Sequence, residues 1–105
     1  MEQFKFNNKT NNLFKAILSL KSVKEAEWFF RDLCTVDEIK EMSDRWEIAQ
    51  LLNKELPYRG IASKLKTSTT TVSRVAQWLN NGMGGYKLAL DRLNHHHSSD
   101  ISRKS

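Results

Sequence analysis

Residues 58–79 of this 105-residue chain read YRGIASKLKTSTTTVSRVAQWL, and this stretch decides the fold. Apolar residues recur at helical spacing on both sides of the hydroxyl run TSTTT, which predicts two short helices joined by a tight turn. We expect the first helix over 58–66 and the second to begin at Ser68 or Thr69, either of which can serve as its N-cap. The pattern is typical of a helix-turn-helix at about 58–80.

The second helix of this stretch separates its residue types by face. One face is apolar and is expected to pack on a core: Val72, Val75, Ala76 and Leu79. The other face carries short polar side chains and one long base: Thr69, Thr70, Thr71, Ser73, Arg74 and Gln77. Because the major groove of B-DNA is about 12 Å wide, a helix with such an outer face can enter it.

Charge is distributed unevenly along the chain. Residues 1–53 have a net charge of −1, whereas residues 54–105 have a net charge of +6. No acidic residue occurs between Glu55 and Asp91, so the Arg and Lys residues in that span have no acidic neighbour in the sequence. A polyanion is the natural partner for such a segment, and the alternative is a basic face that is merely solvated.

Charge and face together predict contact with double-stranded DNA. Hydroxyl groups can hydrogen-bond to phosphates or to the edges of nucleobases. The long Arg and Lys side chains can neutralise the DNA phosphates beside the groove. The predicted DNA-binding residues are Tyr58, Arg59, Lys64, Lys66, Ser68, Thr69, Thr70, Thr71, Ser73 and Arg74. We expect Arg59→Ala to weaken binding and Thr70→Ala or Thr71→Ala to relax base preference. The competing interpretation is that KTSTTT only caps a helix of an ordinary bundle.

The rest of the chain also has helical periodicity. Two amphipathic segments, NNLFKAILSL at 11–20 and SVKEAEWFFRDLC at 22–34, precede a longer helix of about 36–54 that Pro57 ends. After the break NNGMGG, a final helix is expected at 86–93. With one proline and four glycines in the whole chain, the sequence predicts an all-α protein of six helices.

Two helix starts carry the spacing of a capping box. Ser22 precedes Glu25 by three residues, and Thr35 precedes Glu38 in the same way. The predicted organisation is a flexible N-terminus at 1–8, one domain at 9–94 and a disordered polar tail at 95–105.

Several classes of function lack support in the sequence. Cys34 is the only cysteine and is expected to be a small buried side chain, which fits a reducing cytoplasm. No apolar run is long enough to span a membrane, so the chain is expected to be a soluble cytoplasmic protein. No nucleophile or zinc-protease motif occurs, and no enzyme activity, metal or cofactor is predicted. His95, His96 and His97 are assigned to the solvated tail.

From Cys34 to about Asn81 the chain resembles the tryptophan repressor family, most closely its smaller YerC/YecD-type members. The resemblance lies in TVDE at the start of the long helix, DRWEIAQLL within it, and LPYRGIASKLKTSTTTVSRV in the place of the family's helix-turn-helix. It implies a six-helix, intertwined homodimer in which the first two helices and the last build a shared core. Such a dimer implies a palindromic operator with recognition helices about 34 Å apart, and regulation of transcription by repression.

The resemblance also implies an effector site. The family holds its corepressor amino acid through positions that match Thr35, Arg45 and Arg74. Two departures argue against L-tryptophan: Val75 stands where the family has a glycine, and Trp78 stands where it has a small serine. Trp78 itself is then a candidate to fill the pocket. The alternative roles are an N-cap for Thr35 and an ion pair with Glu38, Glu41 or Asp44 for Arg45.

Two other functions fit the basic half less closely. In one, the chain is a protein-interaction module that docks an acidic partner. In the other, it binds DNA without sequence preference. Either would give no consensus in a selection from random duplexes.

Overall fold

The computed structural model describes the backbone of residues 4–104 and the side chains of residues 4–94. Within that part the chain is all α-helix, with no strand, as the sequence predicts. It divides into two compact units, the first ending at Ile39 and the second beginning at Lys40. The helices are α1 (Asn8–Leu18), α2 (Val23–Leu33), α3 (Val36–Asn53), α4 (Tyr58–Leu65), α5 (Thr69–Asn81) and α6 (Gly85–Lys104).

Side-chain caps begin the helices of the first unit. Asn7 and Thr10 form a reciprocal capping box at α1, with backbone-to-side-chain hydrogen bonds of 3.0 and 2.8 Å. At α2 the Ser22 hydroxyl accepts from the Glu25 amide at 3.1 Å, as predicted. The Glu25 carboxylate, however, accepts from the Lys21 amide at 3.0 Å, so only half of the expected box is formed.

The first unit has a large amount of exposed apolar surface. No residue of α1 or α2 is buried, although both helices are amphipathic. Leu18, Val23 and Trp28 are 83%, 77% and 64% exposed. In the segment predicted to be flexible, Phe6 contacts both Phe4 and Phe14, with ring centroids 5.0 and 5.7 Å apart.

Helix α3 begins and ends close to the predicted residues. The Glu38 amide donates to the Thr35 hydroxyl at 3.1 Å and the Thr35 amide donates to the Glu38 carboxylate at 2.8 Å, which confirms this capping box. Beyond Asn53 the backbone of Glu55 is left-handed, with φ of 63°. Helix α3 thus ends before Pro57 is reached, and Pro57 occupies the N-cap of α4.

The core of the second unit lies where α3, α4 and α5 meet. Ile48, Ile61 and Val72 are completely buried, one from each helix. Around them lie Ala49, Leu51, Ala62 and Val75, and the half-buried Trp46, Leu52, Leu56, Leu65 and Tyr86 pack on this cluster. The rings of Trp46 and Tyr86 are stacked with centroids 6.2 Å apart, which brings α6 onto the same core.

Helix α6 is longer than the sequence predicts. Its backbone is helical over Gly85–Lys104, whereas the sequence predicts a final helix over 86–93. The reason is that no glycine or proline follows Gly85, so composition makes the segment polar without supplying a helix breaker. No helix in the described part is both long and apolar enough to cross a membrane.

Candidate nucleic-acid interface

The turn between α4 and α5 is built by backbone hydrogen bonds and one cap. Lys66 adopts the left-handed conformation, φ 56° and ψ 45°, and the Thr67 amide then donates to the Ala62 carbonyl at 3.0 Å. The Ser68 hydroxyl accepts from the Thr71 amide at 3.1 Å and starts α5. Three residues therefore connect α4 to α5.

The inner face of α5 holds the helix against the rest of the unit. The four positions predicted to be apolar and buried, Val72, Val75, Ala76 and Leu79, are all at most 9% exposed. Val72 and Val75 belong to the same cluster as Ile61 and Ala62 of α4. Packing thus fixes which face of α5 points to solvent, and the predicted inner face is confirmed.

The outer face of α5 is a strip of short polar side chains, Thr69, Thr70, Ser73 and Gln77, which we call the recognition face. All four side chains are exposed. Together with Tyr58 and Arg74 they line an open depression of about 350 Å³. Tyr58 comes from the first turn of α4 and is 44% exposed.

Thr71 is set apart from its neighbours. Its hydroxyl lies 3.0 Å from the Ser68 hydroxyl, and its side chain is half-buried. It lines a different cavity from Thr69 and Thr70. The sequence predicts that Thr71 contacts DNA beside Thr70, and the structure places its hydroxyl against Ser68, the N-cap of α5.

The basic residues predicted to meet phosphates are exposed. Arg59 and Lys64 lie on α4, and Lys66 lies in the turn. None of the three makes an ion pair, since the only ion pair among residues 4–94 joins Lys24 to Glu27 at 3.6 Å. Their charge is therefore available to an external anion.

A second cavity, which we call the side pocket, lies between α3 and α5. Its volume is about 490 Å³, and it is lined by Glu41, Asp44, Arg45, Thr67, Thr71, Arg74, Val75 and Trp78. Two of the three predicted effector residues, Arg45 and Arg74, thus come together. The third, Thr35, belongs to the first unit, where its hydroxyl caps α3. Trp78 is 47% exposed and lines the side pocket, whereas the sequence suggested that it fills the space.

The pairing proposed for Arg45 is not formed. Among the side chains described, no ion pair joins Arg45 to Glu38, Glu41 or Asp44. The side pocket therefore presents two guanidiniums and two carboxylates without a direct bridge between them. No cluster of metal-ligating residues occurs in the described part, and the side chains of His95, His96 and His97 lie outside it.

Comparison with known proteins identifies relatives of this arrangement. A family model described as Trp repressor protein matches residues 8–94. YerC of Bacillus subtilis (strain 168) is 43% identical over 83 residues, which make up 79% of this chain and 80% of YerC. The crystal structure of a TrpR like protein from Eubacterium eligens ATCC 27750 matches with a TM-score of 0.80 and 44% identity, over 84% of this chain and 91% of that one. The crystal structure of a Staphylococcus aureus protein matches with a TM-score of 0.80 and 38% identity, over 85% of this chain and 89% of that one.

Proposed function

Because the chain belongs to the Trp repressor family, a family of non-enzymatic DNA-binding regulators, we propose that it regulates transcription by binding a specific operator as a homodimer. In this proposal each α5 enters the major groove, and the bound dimer represses by blocking the duplex to other proteins. The two α5 helices would contact half-sites about one helical turn apart, so the operator is a palindrome.

The observation that carries the proposal is the outer face of α5. It exposes three hydroxyl groups and one amide, without an acid or a large apolar side chain on the strip. Such groups can hydrogen-bond to base edges, and Arg59, Lys64 and Lys66, which are exposed on α4 and in the α4–α5 turn, can neutralise phosphates. A surface that is only solvated does not need its hydrogen-bonding side chains on one helix and its basic side chains on another.

The exposed apolar surface of the first unit supports the homodimer. Five large apolar side chains of α1 and α2 are 43–83% exposed: Phe14, Leu18, Val23, Trp28 and Leu33. Single exposed apolar residues are ordinary, but two amphipathic helices without one buried residue are not. A second copy that interlocks with the first would cover both helices.

Selection from a library of random duplexes tests the proposed function. We expect the wild-type dimer to enrich a palindrome whose half-site centres lie about 10 base pairs apart. The affinity for that palindrome should exceed the affinity for random duplex by about a thousandfold or more at physiological salt. A library without a consensus would contradict the proposal and favour a protein-interaction module or non-specific DNA binding.

We further propose that α5 is positioned without L-tryptophan. Val75 is 3% exposed and belongs to the core cluster, so an isopropyl group already packs on the inner side of the side pocket. The N-cap at Ser68 and the packing of Val72 orient α5 without a ligand. A different small effector of the side pocket would have to satisfy Glu41 and Asp44 as well as Arg45 and Arg74.

Isothermal titration decides the role of L-tryptophan. We expect no heat of binding with ligand up to about 1 mM, because the Val75 side chain fills the space that a glycine at this position would leave. Operator affinity should be the same with and without the amino acid. Binding with a sub-millimolar Kd, or operator affinity that rises on addition of L-tryptophan, would contradict this proposal.

A further inference from the structure

The recognition face offers a restricted set of hydrogen-bonding groups. Thr69, Thr70 and Ser73 each carry a hydroxyl, and Gln77 carries an amide whose donor and acceptor lie side by side. The strip carries no carboxylate, the group that best accepts a hydrogen bond from cytosine N4. Its chemistry is therefore suited to some base pairs and poorly suited to others.

Two of these residue types match the A·T pair in the major groove. A glutamine amide can donate to adenine N7 and accept from adenine N6 at the same time, and a threonine methyl can contact the thymine C5-methyl group. We propose that the recognition face reads A·T base pairs in each half-site, with Gln77 on an adenine and Thr69 and Thr70 against thymine methyl groups. This inference rests on the proposed function.

The recognition face is long enough to contact a few consecutive base pairs. Thr69 and Gln77 lie eight residues apart on α5, which is about 12 Å along the helix axis. At 3.4 Å per base pair this distance spans about three to four base pairs. Each half-site therefore has room for an adenine contact at one end and thymine contacts at the other.

Arg74 carries the group that best pairs with guanine, yet it stands at the edge of the strip. Its side chain lines both the outer depression and the side pocket. Thr71 likewise lines the side pocket, and its hydroxyl is bonded to Ser68. Any guanine that Arg74 contacts therefore lies at the edge of the half-site, and we assign no nucleobase to Thr71.

The substitution Gln77→Glu tests the adenine contact because it keeps the shape of the side chain and removes its donor. Adenine N7 then loses its partner, while cytosine N4 gains an acceptor. Asn80→Asp is the matched control, since it adds the same charge to an exposed position of α5 outside the recognition face. Selections from random duplexes are run with the wild type and both variants, and sedimentation verifies that each remains in the wild-type oligomeric state.

We expect an A·T-containing half-site from the wild type. With Gln77→Glu the preference for adenine at one symmetric position should fall by about tenfold or more, with cytosine gaining there. Asn80→Asp should return the wild-type consensus. A wild-type consensus without A·T pairs, or a Gln77→Glu consensus unchanged at every position, would overturn the readout while leaving the proposed function intact. If no wild-type consensus emerges, the proposed function itself fails.

The thymine contacts have their own pair of variants. Thr70→Ser keeps the hydroxyl and removes the methyl, whereas Thr70→Val keeps a methyl in its place and removes the hydroxyl. We expect Thr70→Ser to reduce the preference for thymine over cytosine several-fold and Thr70→Val to preserve it. The reverse order would show that the hydroxyl, and not the methyl, makes the contact.

Discussion

A protein carrying both Leu18→Glu and Leu33→Glu is expected to lose its dimer and to bind the selected palindrome at least about a hundredfold more weakly. The two leucines are 83% and 50% exposed in the single chain. Neither substitution should therefore remove much packing within the chain itself. The effect depends on burial of these side chains in the proposed dimer.

The expected size follows from burial at a two-fold interface. Burying a leucine contributes about 1.5–3 kcal/mol, and an unpaired carboxylate in the same place costs several kcal/mol more. A two-fold dimer contains each substituted residue twice, so four sites are affected. A monomer has one α5 instead of two, so it also loses the DNA contacts that the second α5 makes in the proposed dimer.

Sedimentation equilibrium and DNA titration measure the two effects. Asn8→Glu with Asn12→Glu is the matched control, because it adds two carboxylates to exposed polar positions of α1. We expect this control to remain dimeric and to bind the palindrome as the wild type does. If the leucine variant behaves like the control, α1 and α2 do not form the dimer interface.

The helix-turn-helix was predictable because its signals are local. The alternation of apolar and polar residues on α5 follows from the helical period, and Ser68 and Thr35 cap helices through atoms three residues away. Pro57 and the glycines of the α5–α6 turn mark breaks in any context. At Gly82, for example, a Cβ would collide with the Trp78 carbonyl oxygen.

Other features depend on neighbours that are distant in the sequence or on unusual backbone. Lys66 and Glu55 adopt left-handed conformations, which their residue types do not favour, so the exact turn geometry was not predictable. Thr70 and Thr71 are the same residue type at adjacent positions, so the sequence could not show that only Thr71 lies against the Ser68 hydroxyl. The side pocket requires Arg45 of α3 to meet Arg74 of α5, which the resemblance implied and spacing alone could not.

The second large effect is expected from the triple variant Arg59→Gln, Lys64→Gln and Lys66→Gln, which removes three exposed basic side chains of α4 and the α4–α5 turn. In a dimer this change removes six candidate phosphate contacts. Each contact contributes about −0.9 to the slope of log affinity against log salt, so the slope should become shallower by about 5. At low salt the affinity should fall by about a thousandfold or more, while the consensus is retained.

The matched control removes the same total charge elsewhere. Lys54→Gln, Lys87→Gln and Arg92→Gln change three exposed basic residues of the second unit that lie outside α4, α5 and the turn between them. If net charge alone governed binding, both triple variants would lose affinity equally and show the same slope. We expect the control to keep most of the salt dependence, because counterions are released where phosphates are contacted and not across the whole surface. Equal slopes would locate the DNA elsewhere on the molecule.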